Sequence, residues 1–513
     1  MTRSATLALV ALLIPMTAMA EDGKNNLFDT TISFSFADDN ALKDAGETRQ
    51  NSPTGFFGQS PDGSLNRVES PAFEGTTTLL RIGSTGTVGR WQPGGEVLVR
   101  FKVDTNGKYA LGDYGSNLSL RYLFADEKSS FGFKAFPVDT DRFRLGHNWD
   151  VTWAGSDTFP RNFRSGLVPG FKLDLDTEIL DVFAGMKAAL IRSPAEDILD
   201  NPGGNTTQLV ERAYYSALLG IGVDIPHTGL RVDLQGAFFQ KGTSTRDSTL
   251  GDPILAGGGT AIVHWTHGSK VGNRLDLDLY YQDPTRYTLR EDPYEGRMGF
   301  DVAAEYSHLV QVLEDPDRPA STKLEQAKAA ALTAGFRFRN FRTHLNLIFR
   351  DLSFIVFNVP GFVPYQALPA AAEIKPEVFG VLSVDYFIQS LGLTPALSVG
   401  VLRPATYRPN MQGSTLTGPY AAAVEEGIHK VVVKGSNSFD WQMLPAGEEE
   451  WLVFMARFDI KWNLGSSFAM IGEVSYRYDG NIAQVFMTDQ GHAVLRFDDP
   501  HILSYGLVAE YEF

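Results

Sequence analysis

The chain has no cysteine among its 513 residues. That excludes disulfide frameworks, thiol nucleophiles, thiolate metal sites and a lipidated cysteine anchor together. Long apolar runs are nearly missing as well. Beyond residue 20 no uncharged apolar stretch reaches the length of roughly 18 residues that a membrane-spanning helix needs. Basic residues are the minority, 45 Lys+Arg against 61 Asp+Glu with a net charge of -16, and so acidic a chain argues against nucleic acid as a partner. What is present is 43% apolar residues, 12% aromatics and a mean hydropathy of -0.13. These averages suit a large soluble domain, or a membrane protein whose apolar residues are dispersed by alternation.

The first twenty residues carry Arg3, an apolar run over 5–19 and the small-residue ending Ala18-Met19-Ala20. A basic start, a short apolar stretch and small residues before a cut read as a signal peptide over 1–20, leaving 21–513 as the exported domain. With spanning helices excluded, that domain is either soluble beyond the inner membrane or a β-barrel, the other structure that satisfies every backbone hydrogen bond in lipid.

Alternation decides between them. Over 96–104, Val97, Val99, Phe101 and Val103 interleave with Arg100, Lys102 and Asp104. Over 142–153, Phe143, Leu145, His147, Trp149, Val151 and Trp153 interleave with Arg142, Arg144, Asn148 and Asp150. The same period of two recurs over 228–241 around Arg231, over 274–282, over 336–350 around Arg337, Arg339, Arg342 and Arg350, and over 452–462 around Arg457. A strand sends successive side chains to opposite faces, so each segment has one apolar and one wet face. A soluble sandwich alternates too, but here Trp149, Trp153, Tyr280, Tyr281 and Trp462 cluster at segment ends, as in the aromatic girdles of a membrane barrel. An all-β transmembrane antiparallel β-barrel of about 18 strands (16–20) is expected, with short periplasmic turns and long extracellular loops.

The last eleven residues, LSYGLVAEYEF, place Leu503, Tyr505, Leu507, Ala509, Tyr511 and Phe513 on one face. A terminal Phe with a Tyr two before it resembles the final strand read by the assembly machinery of bacterial outer-membrane barrels, so Tyr511 and Phe513 are the assembly-signal candidates. With the signal sequence and the repeated strands, the chain resembles the large outer-membrane channels of Gram-negative bacteria, general or substrate-selective porins, and less specifically the 18-stranded polysaccharide exporters such as the alginate-export barrels. The resemblance implies an outer-membrane location, and lipid, lipopolysaccharide and the barrel-assembly machinery as partners. It leaves oligomeric state open, since porins of about 16 strands are often trimers and larger ones often monomers.

Connections carry further expectations. Residues 38–72, rich in Gly, Ser, Pro and Asn, read as a mobile loop or N-terminal stretch. Residues 154–169 follow the most strongly marked strand and carry Arg161 and Arg164; they are read as a loop folded inward to form a constriction, against the plainer reading of an ordinary external loop. The run 315–331 has a Thr322/Glu325 capping box and helix formers, and is expected to hold a short helix. The run 354–372 is unusually apolar for an external loop and is expected across the barrel mouth or against a partner.

Assigning polar faces to the interior gives Arg100, Lys102, Arg121, Arg142, Arg144, Arg231, Arg337, Arg339, Arg342, Arg350 and Arg457 as pore-lining candidates. Arginine rings bias a pore toward anions; the alternative is wall-to-wall salt bridges that stiffen the barrel. Catalysis is not expected. His264 and His267 point to opposite faces of a strand, Asp174/Asp176 and Asp276/Asp278 are single wet faces rather than dyads, and no glycine-rich loop leads from strand to helix. No metal and no cofactor is called for. The reading is an outer-membrane channel for small hydrophilic, on the arginine count anionic, solutes. The alternatives are an export barrel for an acidic polysaccharide, and a structural or adhesion barrel.

Overall fold

The computed structural model describes residues 29–38, 40–43, 56–59, 65–68, 75–85, 88–104, 109–113, 116–126, 128–140, 143–148, 151–159, 164, 166–194, 209–244, 251–268, 298–318, 320–358, 366–408, 429–434, 440–465, 467–487 and 493–512. The segment 1–20 read as a signal peptide, Arg142, Arg161, the strand expected over 274–282 and Phe513 lie outside them.

Among the described residues nineteen strands form one sheet. Two of them, Tyr109–Asp113 and Asn117–Leu123, pair with successive parts of the same neighbour, so the strands occupy eighteen places. In chain order these are β1 (Asp29–Asp38), β2 (Gly75–Thr85), β3 (Trp91–Asp104), the interrupted β4 just described, β5 (Ser130–Phe136) and β6 (Gly170–Asp176). Then follow β7 (Leu180–Pro194), β8 (Leu209–Ile225), β9 (Leu230–Thr243), β10 (Pro253–His267), β11 (Gly299–Glu314) and β12 (Thr322–Phe338). The last six are β13 (Phe341–Arg350), β14 (Glu377–Tyr386), β15 (Leu393–Arg403), β16 (Val453–Asn463), β17 (Phe468–Tyr478) and β18 (His501–Glu512). Each pairs antiparallel with the next, and β1 pairs with both β2 and β18. The sheet is thus antiparallel and barrel-like, its first strand meeting its last; along Tyr109–Asp113 the described pairing is to β3 alone, and pairing strand to strand is how a barrel satisfies its backbone groups in lipid. No described helix is long and apolar enough to cross a membrane.

Burial is inverted relative to a soluble sandwich. On β13, Leu345, Leu347 and Phe349 are exposed while the alternate Arg342, Asn346 and Arg350 are buried. On β16, Phe454, Phe458 and Trp462 are exposed while Arg457, Asp459 and Lys461 are buried. The outward apolar band is what hydrocarbon covers, and the charged face lines the lumen.

The connections sort by end. Short turns at 177–179, 226–229, 339–340, 387–392 and 464–467 lie at one end, periplasmic in this architecture. At the other end lie 351–376, 404–452 and 479–500, and they are built. A small antiparallel sheet joins Glu373–Lys375, Ala405–Arg408, Val431–Lys434 and Asp440–Met443; beside it the buried Lys430 ammonium pairs with Glu449 and Glu450. One connection departs from the expected rule, since 268–298 is long and joins β10 to β11 at the short-turn end. Those two strands are hydrogen-bonded directly, from Ala256↔Gln311 to His267↔Phe300. In 38–72, Phe56–Gln59 pairs with Leu65–Val68, so the stretch contains a short hairpin.

Two further expectations are corrected. The helix expected in 315–331 is absent, because Thr322–Phe338 is β12, paired residue by residue with β11. The alanines there supply helix propensity, but Ala327, Ala329 and Ala331 alternate as small lumen-facing residues, and tertiary pairing overrides a propensity of tenths of a kcal/mol per residue. The strand expected over 142–153 is no stave either. It belongs to the connection 137–169 between β5 and β6, and its apolar residues Phe143, Leu145, Val151 and Trp153 are fully buried instead of facing lipid.

Candidate functional site

The described inner wall is a set of ion pairs strung between staves. Arg121 of β4 lies 3.6 Å from Asp174 and 3.3 Å from Asp176 of β6. Arg231 of β9 is 2.8 Å from Asp181 of β7, 2.8 Å from Asp224 of β8 and 3.0 Å from Asp233 on its own strand. This triple contact needs Gly222 between the staves, where a Cβ would come within 2.3 Å of both Arg231 Nη2 and Asp233 Oδ1. Arg342 and Arg350 of β13 pair with Asp385 (3.0 Å) and Glu377 (2.5 Å) of β14. Arg457 pairs with Asp459 at 2.8 Å.

The four arginines of the β12–β13 hairpin, all pore-lining candidates, do not act as one group. Arg337 and Arg342 are cross-strand partners, with Arg337 exposed on the inner face. Arg350 is eight residues further along the strand, roughly 27 Å at 3.4 Å per residue. Arg339 is not in the wall at all. It holds a φ of 52° in the two-residue turn and stacks its guanidinium 5.4 Å from the Phe338 ring. Arg100 and Lys102 lie in β3 and Tyr511 in β18, opposite Ile32 and Phe468; the described structure stops at their backbone.

Across the lumen lies the connection 137–169. The Lys187 ammonium of β7 donates to the carbonyls of Thr140 (3.0 Å), Phe143 and Ala154, gathering the two limbs of the segment. Gly146 N–H donates to Gln235 Oε1 of β9 at 2.7 Å. The Glu305 carboxylate of β11 accepts the backbone N–H groups of His147 (3.0 Å) and Asn148 (2.7 Å). Asn148 Nδ2 donates to Asn346 Oδ1 of β13 at 2.7 Å, and Trp153 Nε1 to Thr260 Oγ1 of β10 at 2.7 Å. Gly146 has a φ of 111° and a Cβ on it would come 2.6 Å from Glu305 Oε1, so this tip admits glycine alone. Arg144 is buried and donates to Thr152 Oγ1 at 3.0 Å, within the segment rather than from a strand face. Arg164 donates to Ser156 O at 2.8 Å.

A second element enters the lumen beside it. Asp351 and the helix α1 (Leu352–Asn358) follow β13, and Phe354, Ile355 and Phe357 are buried. Phe357 meets Trp153 edge-on at 6.2 Å between centroids, and Lys241 of β9 lies 4.3 Å above the Phe357 ring while donating to its carbonyl at 2.9 Å. Trp153, expected in an interfacial girdle, is instead the centre of this packing, with Phe239 also against it. His147, expected to face lipid, is inside the barrel 5.3 Å from His264.

Sequence reasoning missed Gln235, Thr260, Glu305 and Asn346 as anchors. Mid-strand polar residues on inner faces were the available signal. Among the described residues no group of three or more His, Asp or Glu is arranged to hold a metal ion. Chemically, the arrangement can pass water and polar solutes between charged walls and a pinned internal segment.

No protein-family model matches the chain, and no curated protein matches it. Solved structures similar to it include OpdQ of Pseudomonas aeruginosa, 10% identical with a TM-score of 0.40 over 95% of this chain and 97% of that one. The outer membrane protein opdK of the same organism is 10% identical with a TM-score of 0.39, over 95% and 98%. The outer membrane channel DcaP of Acinetobacter baumannii is 12% identical with a TM-score of 0.36, over 95% and 96%.

Proposed function

We propose that the protein is an outer-membrane channel for passive passage of small hydrophilic solutes, the segment 137–169 and helix α1 narrowing its pore. The observation that carries this reading is the wet, charged inner face of an eighteen-place barrel crossed by a segment pinned at Lys187, Gln235, Thr260, Glu305 and Asn346. Barrels of 16 to 18 strands enclose an aqueous channel. Purified protein in planar bilayers is expected to show discrete conductance steps, larger after removal of residues 143–159. A barrel that folds but conducts with neither form overturns the reading.

The described arginines count against strong selection of anions. Arg121, Arg231, Arg342, Arg350 and Arg457 each have a carboxylate within about 3.6 Å or less, so the wall is of mixed sign. Export of an acidic polysaccharide calls for a continuous basic lumen, and no described observation favours it over the passive channel.

A further inference from the structure

One level of the wall carries an unusual row of imidazoles. Arg231 of β9 stands opposite His264 of β10; His264 Nε2 contacts Asp301 Oδ2 of β11 at 3.0 Å. Asp301 stands opposite Gly335 of β12, which in turn stands opposite His344 of β13. Gly335 has no side chain to separate the two, and a Cβ on it would lie 3.4 Å from His344 Nδ1 and 3.7 Å from Asp301 Cβ. His147, at the tip of the infolded segment, sets its ring 5.3 Å from His264 while its own N–H is held by Glu305. The tip of the narrowing segment therefore rests on a titratable group.

Among the described residues, charges reach this spot from several neighbouring elements. They are Asp224 of β8, Arg231 and Asp233 of β9, Asp301 and Glu305 of β11, Arg337 of β12, Arg342 and His344 of β13, and Arg144 within the segment. Arg231, Arg342 and Arg144 are tied to Asp181, Asp224 and Asp233, to Asp385 and to Thr152 respectively. Asp301 is committed to His264.

Resting on the channel reading above, we propose that His147 and His264 form a proton-operated latch: with His147 neutral the 146–148 tip is seated on Gln235 and Glu305, and acid drives the tip off the wall and widens the pore. Burial, with His264 adding repulsion, pushes His147 down to about 4 from its ordinary 6.5. The seated tip therefore binds a proton more weakly than the released one, and release is favoured progressively as pH falls below about 6.5 and fully at about 4.

Amide hydrogen exchange of the detergent-folded protein, corrected for the intrinsic pH dependence of exchange, reads the tip without relying on conduction. Between pH about 7.5 and about 4, protection at Gly146, His147 and Asn148 is expected to fall at least about tenfold, the factor carried by one unit of pKa. Single-channel conductance is expected to rise over the same range. His147→Asn should abolish both responses and His267→Asn, on the outer face, should leave them intact. Unchanged protection in the wild type overturns the latch, as does an acid response that survives in His147→Asn but vanishes in Glu305→Gln, which would make the carboxylate the sensor. Acid-dependent exchange in a protein that never conducts supports the latch and overturns the channel reading instead.

Discussion

At the scale of residues, the lumen holds charges that are costly to leave alone. Breaking a buried ion pair by removing one partner typically costs 3–5 kcal/mol, because the remaining charge is desolvated without compensation. Arg342→Ala, which strands Asp385 on β14, is therefore expected to lower stability by about 3 kcal/mol, read as an earlier urea midpoint for loss of the barrel's heat-resistant band on gels. Removing both partners, as Arg342→Met with Asp385→Leu, is expected to recover most of the loss. Asp351 gives a pH-dependent counterpart. It caps helix α1, Oδ1 accepting Phe354 N–H at 2.7 Å and Oδ2 accepting Lys328 N–H at 2.8 Å, and burial raises its carboxyl to about 6. A folded-state value above the unfolded 3.8 means that its contribution is fully present below pH 3.8 and is lost as pH rises through about 6. Asp351→Asn keeps the cap acceptor for Phe354 N–H, gives up the one for Lys328 N–H and removes the charge. It should flatten the stability profile across that window, measured by thermal unfolding at several pH values.

At the scale of elements, the same local pattern served two ends. Alternation in 336–350 gave a stave whose faces are those read from the sequence, with Leu345 and Leu347 out and Arg342 and Arg350 in. Alternation in 142–153 was equally regular, yet Phe143, Leu145, Val151 and Trp153 are buried against other lumen groups. Period two reports an extended segment with one apolar face; it says nothing about whether lipid or protein covers that face. The packing of segment and helix against each other has a measurable consequence. Phe357→Ala removes the edge contact with Trp153 and the ring under Lys241. A cost of about 3–5 kcal/mol is usual for emptying such a site, and here it falls on helix α1 more than on the barrel. The expected result is a larger, noisier conductance with little change in the urea midpoint of the barrel.

At the scale of the whole molecule, the absence of cysteine makes topology directly testable. Single cysteines at Leu382, Leu397, Phe458 and Val474, all exposed and apolar on the outer face, are expected to react in liposomes with membrane-partitioning thiol reagents and not with charged ones. Arg337→Cys, exposed on the inner face, should show the reverse. Labelling of all five by charged reagents alone would mean that the outward band does not face lipid.

The amino-acid sequence by itself determined the all-β class, the two faces of staves such as β13 and β16, and the alternation of short turns with long loops, though not the roles of 142–153 and 322–331. Each of these follows from nearest-neighbour geometry along the chain: a strand's period, a turn's residues, the length between periodic runs. What only the tertiary structure decided is which staves meet across long intervals and which connection enters the pore. The pairing of β1 with β18, the partners of Arg231 and the seating of 143–159 on Lys187, Gln235 and Glu305 join residues far apart in sequence. Their energies depend on the enclosure of the lumen, where a charge lacks water and must find a partner, and no local pattern encodes that enclosure.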